Sequence, residues 1–274
     1  MIRHVALVSE VEQITNSALT KVAAALQKQA VRDFGPLWGV QATVSAFVKL
    51  EDVPVGYWPI IVRNDIQSPG AAGVHEDKHG QPFALVQFDS GWGLTASHEC
   101  LEMLADPFGN RLIAGPSVKK GQGRVEYLVE VCDPSEDVSF AYTVNGVLVS
   151  DFYTPHFFDP AKSSGARYSF TGAIQKPRQV LKGGYLSWHD PVGDHWWQQT
   201  YFGAKPKYRD LGVFGKLTGS LRSTIDRLTP VPPSSSKRSA VAAALDDAEV
   251  TAESTSARAK AWRDQIKAIT KQSA

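Results

Sequence analysis

Only two cysteines, Cys100 and Cys132, stand among the 274 residues, too few for a disulfide framework. No run approaches the ~18 consecutive apolar residues of a membrane-crossing helix, so no membrane partner is expected. The first residues, Met1-Ile2-Arg3-His4-Val5-Ala6-Leu7-Val8, lack the apolar run of a signal peptide and soon reach Glu10 and Glu12. A cytoplasmic location is the expectation. An excess of one charge is also missing, since 29 Lys and Arg against 28 Asp and Glu leave +1. A nucleic-acid surface calls for a basic excess, so no nucleic acid is expected as a partner. What remains, 43% hydrophobic and 21% charged residues, is enough for a core without staples.

Ile2 to Val8 is β-branched and predicts a first strand. Glu10 to Phe34 carries Ile14, Leu19, Val22, Ala23 and Leu26 at near-helical spacing and stops at Gly35-Pro36. Gly39 to Leu50 alternates strictly and predicts a half-buried strand; Tyr57 to Val62 and Pro82 to Phe88 are two more. Asp65 to Gly80, rich in Gly, Asp and His, reads as a loop. Gly91 to Leu104 drops the alternation and predicts a helix capped by Thr95 or Ser97 and ended by Asp106-Pro107-Phe108-Gly109-Asn110. Val125 to Cys132 returns to strand character, and Asn145-Gly146 marks a hairpin within Phe140 to Val149.

Arg167 to Trp197 gathers Tyr168, Phe170, Tyr185, Trp188, Trp196 and Trp197 as a packed aromatic hairpin, the centre of an aromatic-rich elaboration over 160–205. Leu211 to Leu228 predicts a short amphipathic helix. Strands and helices in this order indicate an α+β domain over 1–228. A Pro/Ser linker follows at 229–237, then a helical or disordered tail at 238–274 that offers a surface to a protein partner.

The chemistry concentrates in Ser97-His98-Glu99-Cys100-Leu101-Glu102. On a helix His98 and Glu102 project from one face, the geometry by which one helix offers two ligands to a zinc ion, Zn2+. Glu99, rotated by about 100°, reaches a water on that ion and serves as general base. Glu102 stands where a second His is usual; a carboxylate also ligates zinc, and its charge makes the bound water less acidic. The same residues on a solvated helix mean nothing, but Leu101, Met103 and Leu104 make this segment apolar. Glu126-Tyr127-Leu128-Val129-Glu130-Val131-Cys132-Asp133 sets carboxylates in another apolar stretch, where a buried one needs a partner.

Together, Ser97-His98-Glu99-x-x-Glu102-x-x-x-Asp106-Pro107 and Glu130-Val131-Cys132-Asp133 resemble the zincin-like metallopeptidases. The pattern is most similar to uncharacterised bacterial zincin-like proteins and the plant exordium (phosphate-induced) family. The Gly70-Ala71-Ala72-Gly73-Val74-His75 segment adds to the likeness, which covers about Pro59 to Pro160. It implies a twisted mixed sheet on an active-site helix and a peptide or protein substrate. The implied metal is held by His98, Glu102 and a third residue. An extended signature with further His is absent, position 108 being Phe, so the third ligand comes from elsewhere. Glu130 is the first choice, with Asp133 and Asp106 as alternatives; each can instead orient His98.

Tyr153 and His156 follow the hairpin and are placed to steady an oxyanion, with core packing as the alternative. His75 borders the cleft or belongs to a polar loop. His189 and His195 lack ligand spacing, and Cys100 reads as a small buried residue rather than a nucleophile. The competing functional class is an inactive zincin-fold binding or structural module of a larger assembly, with the aromatic segment and the tail as contact surfaces.

Overall fold

Val5, Ala6, Leu7 and Val8 are all buried, on both faces of strand β1 (Ile2–Ser9). Burial on both sides marks a central parallel strand, and β1 pairs in parallel with β2 (Gln41–Phe47) and β3 (Tyr57–Arg63). The computed structural model of the protein describes residues 1–217 and 219–230. The linker beyond Pro230 and the tail at 238–274 lie outside the described residues. β5 (Gln81–Gln87) continues the sheet in parallel, and β4 (Gly73–Lys78) closes its edge antiparallel to β5. The order is β2-β1-β3-β5-β4.

β4 corrects the loop expected from Asp65 to Gly80. Its composition is turn-like, but His79 and Gly80, at φ 55° and 80°, turn the chain so that Lys78 faces Gln81. The long helix expected over Glu10 to Phe34 is also shorter and broken. Helix α1 (Asn16–Lys28) starts at Thr15, whose hydroxyl accepts from the Ala18 amide, and widens into a π turn at Gln29–Phe34 before α2 (Gly35–Trp38). The wider turn directs Gln29 inward, where its amide donates to the Ser150 carbonyl at 2.9 Å.

A second, antiparallel sheet has the order β12-β11-β10-β7-β6. Its strands are β6 (Leu112–Pro116), β7 (Arg124–Leu128), β10 (Tyr185–Asp190), β11 (His195–Thr200) and β12 (Lys207–Gly212). The expected aromatic hairpin is β10–β11, with Trp188 opposite Trp197. β8 (Tyr142–Val144) and β9 (Val147–Val149) form the Asn145-Gly146 hairpin, both turn residues having positive φ as a type I′ turn requires. Of the helix expected from Leu211 to Leu228 only α4 (Leu221–Leu228) forms, capped by Ser220; Lys207 to Gly212 is drawn into strand pairing with β11.

Helix α3 (Trp92–Ala105) lies between the mixed sheet and the β8–β9 hairpin. It begins one turn before the expected caps, at Gly91. Ser97 instead bonds sideways: its hydroxyl donates to Gln29 Oε1 at 2.8 Å and accepts from the Ser150 amide at 2.9 Å. The helix is thereby tied to both neighbours one residue before His98. Trp188, fully buried against Tyr127, is a principal member of the core. Trp188→Ala is expected to cost about 3–5 kcal/mol, read as a fall in Tm of about 2–4 °C for each kcal/mol. A loss below about 1 kcal/mol by denaturant titration contradicts that packing.

Candidate metal centre

Packing of α3 between the mixed sheet and the β8–β9 hairpin turns Glu99 and Glu102 away from water and leaves His98 at the edge. Glu99 is 3% exposed and Glu102 0%, while the His98 side chain retains 14%. Glu99 fits because position 73 is glycine: a Cβ there meets Glu99 Oε1 at 2.7 Å. His98 Nε2 lies 3.3 Å from Glu102 Oε1 and 3.1 Å from Asp133 Oδ1. Ligand atoms around a tetrahedral zinc with ~2.0–2.2 Å bonds stand about 3.3–3.6 Å apart; the His98–Glu102 spacing matches, and the His98–Asp133 spacing needs only a small opening to admit one cation. The Cys132 amide donates to Glu102 Oε1 at 3.1 Å and fixes that carboxylate.

The strand expected through Cys132 ends at Leu128. The chain there changes partners: the Val129 amide bonds the Arg111 carbonyl, the Val131 carbonyl accepts from Tyr153, and the Cys132 amide turns to Glu102. A 3-10 turn at Asp133–Ser135 then carries Asp133 to His98. Glu130 is buried beside them, and neither its oxygens nor those of Asp133 have a well-formed hydrogen bond. Orphaned buried carboxylate oxygens are costly; the donor set, one imidazole and carboxylates, suits a divalent cation. Glu126 lies apart, pairing with His189 at 3.1 Å.

A second trio sits across Glu102. His75 on β4 is 1% exposed, and its Nδ1 stands 3.6 Å from Glu99 Oε2 and 3.8 Å from Glu102 Oε2. Its Nε2 is 2.9 Å from the Asp106 carbonyl, which fixes Nε2 as the protonated nitrogen and leaves the Nδ1 lone pair facing the carboxylates. Arg222 on α4 completes the cluster, bonding Glu102 Oε2 closely, lying 3.7 Å from Glu99 Oε2 and 3.3 Å from Asp226 Oδ2. His75 is thus no loop residue, and Arg222 and Asp226 had no part in the expected site.

Charge follows from these contacts. Burial lowers the His75 pKa and Arg222 lowers it further, so the ring is neutral near pH 7. Burial pushes Glu99 up, but Arg222 and His98 together hold it below its ordinary value. Burial opposes charge on His98, yet the Asp133 contact and the Glu99 and Asp133 charges raise its pKa, favouring a cation at that nitrogen. Asp226 is raised to about 6, chiefly by burial.

Burial, then Asp133 and Asp226, push Glu130 well above the usual carboxylate range. Metal-free protein therefore keeps a proton on Glu130 that the unfolded chain releases near pH 4, and this contribution to stability fades as pH rises toward the folded-state pKa. Chelator-treated Glu130→Gln is expected to melt above chelator-treated wild type at about pH 8 and level with it at about pH 4. Equal melting at both, followed by calorimetry, contradicts the assignment.

Of the remaining expected residues, Tyr153 is fully buried, its phenol pushed far up by burial and by Glu130 and Asp133. His156 is not brought to the cluster; it is exposed on a 3-10 turn and pairs with Asp159 at 2.9 Å. Asp106 ends α3 and its carboxylate accepts from the Arg111 amide at 2.6 Å, which occupies it outside both trios. Burial pushes the Cys100 thiol up to about 12, far from a nucleophile's range. His189 pairs with Glu126 and Asp194, and His195 with Asp210. Among the described residues no helix is long and apolar enough to cross a membrane. No protein-family model, no curated protein and no solved structure matches this chain.

Proposed function

We propose that this chain is a zinc-dependent hydrolase of the zincin-like kind, acting on peptide bonds in a peptide or protein. The observation that carries the reading is the convergence of His98 Nε2, Glu102 Oε1 and Asp133 Oδ1, with Glu99 on the next helix position. His98, Glu102 and Asp133 hold the ion, and Glu130 lies behind Asp133. Asp133 thus takes the place first given to Glu130 because it stands 3.1 Å from His98 Nε2. When bound, Zn2+ supplies Lewis acidity, bringing the pKa of a bound water toward about 7 and polarising a scissile carbonyl.

Glu99 stays anionic, so its carboxylate can accept a proton from the attacking water and return it to the leaving amine. Tyr153 takes the core-packing alternative instead: it is fully buried and stacked on Phe157 at 4.2 Å, with no face open to a substrate oxyanion. Chelator-stripped protein is expected to lose cleavage of a quenched peptide library and to regain it with added zinc. Undiminished cleavage in excess chelator counts against the reading.

One observation favours the competing class, a binding or structural module. Structural zinc sites are closed while catalytic ones keep an open position, and here only His98 among the three ligands reaches solvent, at 14%. An ion that binds and raises Tm without any cleavage of the library favours that module.

A further inference from the structure

We infer that the Arg222 guanidinium is a resident cation that fills a second metal position, His75–Glu99–Glu102, and so keeps the centre mononuclear; this rests on the metal reading of the first trio.

The geometry of a shared-carboxylate pair is complete around Glu102. Its Oε1 faces His98 and Asp133, and its Oε2 faces His75 and Arg222. The second trio has an imidazole in ligand posture: Nε2 is held by the Asp106 carbonyl at 2.9 Å and the buried Nδ1 has no hydrogen-bond partner. Metal-ligating imidazoles are oriented in this way, through the opposite nitrogen. A lone pair 3.6 and 3.8 Å from two carboxylate oxygens is repelled by them unless positive charge lies between or beside them. Arg222 supplies that charge to the same oxygens, Glu102 Oε2 and Glu99 Oε2.

The chain builds Arg222 into place. Its amide donates to the Gly109 carbonyl at 3.0 Å, and the Leu221 amide donates to Asn110 Oδ1 at 2.9 Å. Gly109, at φ +61°, leaves room for the approach, since a Cβ there meets Ser220 Oγ at 2.9 Å and Arg222 Cβ at 3.0 Å. Ile225, fully buried with Leu128 and Trp196, anchors α4 to the second sheet. The turn after α3 therefore holds His75 through Asp106 and Arg222 through Gly109. A fixed monovalent charge cannot coordinate, so Glu99 is left unligated and free to act as a base; with a metal in the second trio it becomes a ligand.

Cobalt(II) titration of the full chain, followed by visible absorption, tests this. Wild type is expected to saturate at about one equivalent, and Arg222→Met and Arg222→Gln at about two. Arg222→Lys, which keeps the charge, and the double variant His75→Ala/Arg222→Met are both expected at about one. Met and Gln variants that stay folded and saturate at about one equivalent overturn the inference, as does Arg222→Lys taking two. If the neutral variants lose their fold without metal, refolding by circular dichroism is expected at about two equivalents; refolding at about one, or at none, overturns it. Wild type that binds no cobalt removes the first-trio reading instead, a distinct outcome.

Discussion

Glu99→Gln is expected to keep its zinc and lose about 10²–10⁴ in kcat, with KM little changed. Gln preserves the shape of a side chain confined between β4 and α3, where Gly73 leaves no space for a larger group. It removes the one property the proposed chemistry needs, a carboxylate that accepts a proton. The negative charge is stabilised in place by Arg222 and His98 against the cost of burial, so the side chain is a carboxylate near neutral pH. A structural role predicts a different pattern, a lower Tm with kcat preserved. Steady-state kinetics on zinc-loaded protein separates the two, and kcat within about threefold of wild type removes Glu99 as the base.

His98→Ala is expected to weaken zinc binding by more than about 100-fold, because losing even a group that orients a ligand costs 10–100-fold. The loss extends to stability. Zinc held a hundredfold above its Kd adds about 2.7 kcal/mol to the wild-type fold, about 5–11 °C at 2–4 °C per kcal/mol. His98→Ala is expected to show almost none of that gain. Asp133→Asn should follow it, since both donor atoms face the same point, whereas His156→Ala should leave metal binding and Tm unchanged because His156 is exposed and paired with Asp159. Scanning calorimetry with and without zinc reads all three, and an undiminished zinc gain in His98→Ala contradicts the ligand assignment.

The parts legible in the amino-acid order are those set by local rules. The His98-Glu99-x-x-Glu102 face depends only on helical periodicity, and the Asn145-Gly146 hairpin only on two positive-φ residues. The α+β order of elements was equally readable. The choice between Glu130 and Asp133 is not legible locally: the chain leaves the strand at Leu128, and facing is then set by long-range bonds to Arg111, Tyr153 and Glu102.

His75 was hidden by composition. Gly, Asp and His read as loop, yet an edge strand can be polar and still bury one residue under a neighbouring helix. Arg222 carries a faint signal, its i,i+4 partner Asp226 within an amphipathic stretch. Nothing local links Arg222 to Glu102, 120 positions earlier, or His75 to a helix that follows it. Clusters closed by such contacts are visible only once the sheets and α4 are in place.

One ion is proposed to sit among His98, Glu102 and Asp133. An anomalous difference map from zinc-soaked crystals, recorded on both sides of the zinc edge, tests it most directly. A peak is expected about 2.0–2.2 Å from His98 Nε2, Glu102 Oε1 and Asp133 Oδ1. A peak elsewhere, or none at saturating zinc, contradicts it.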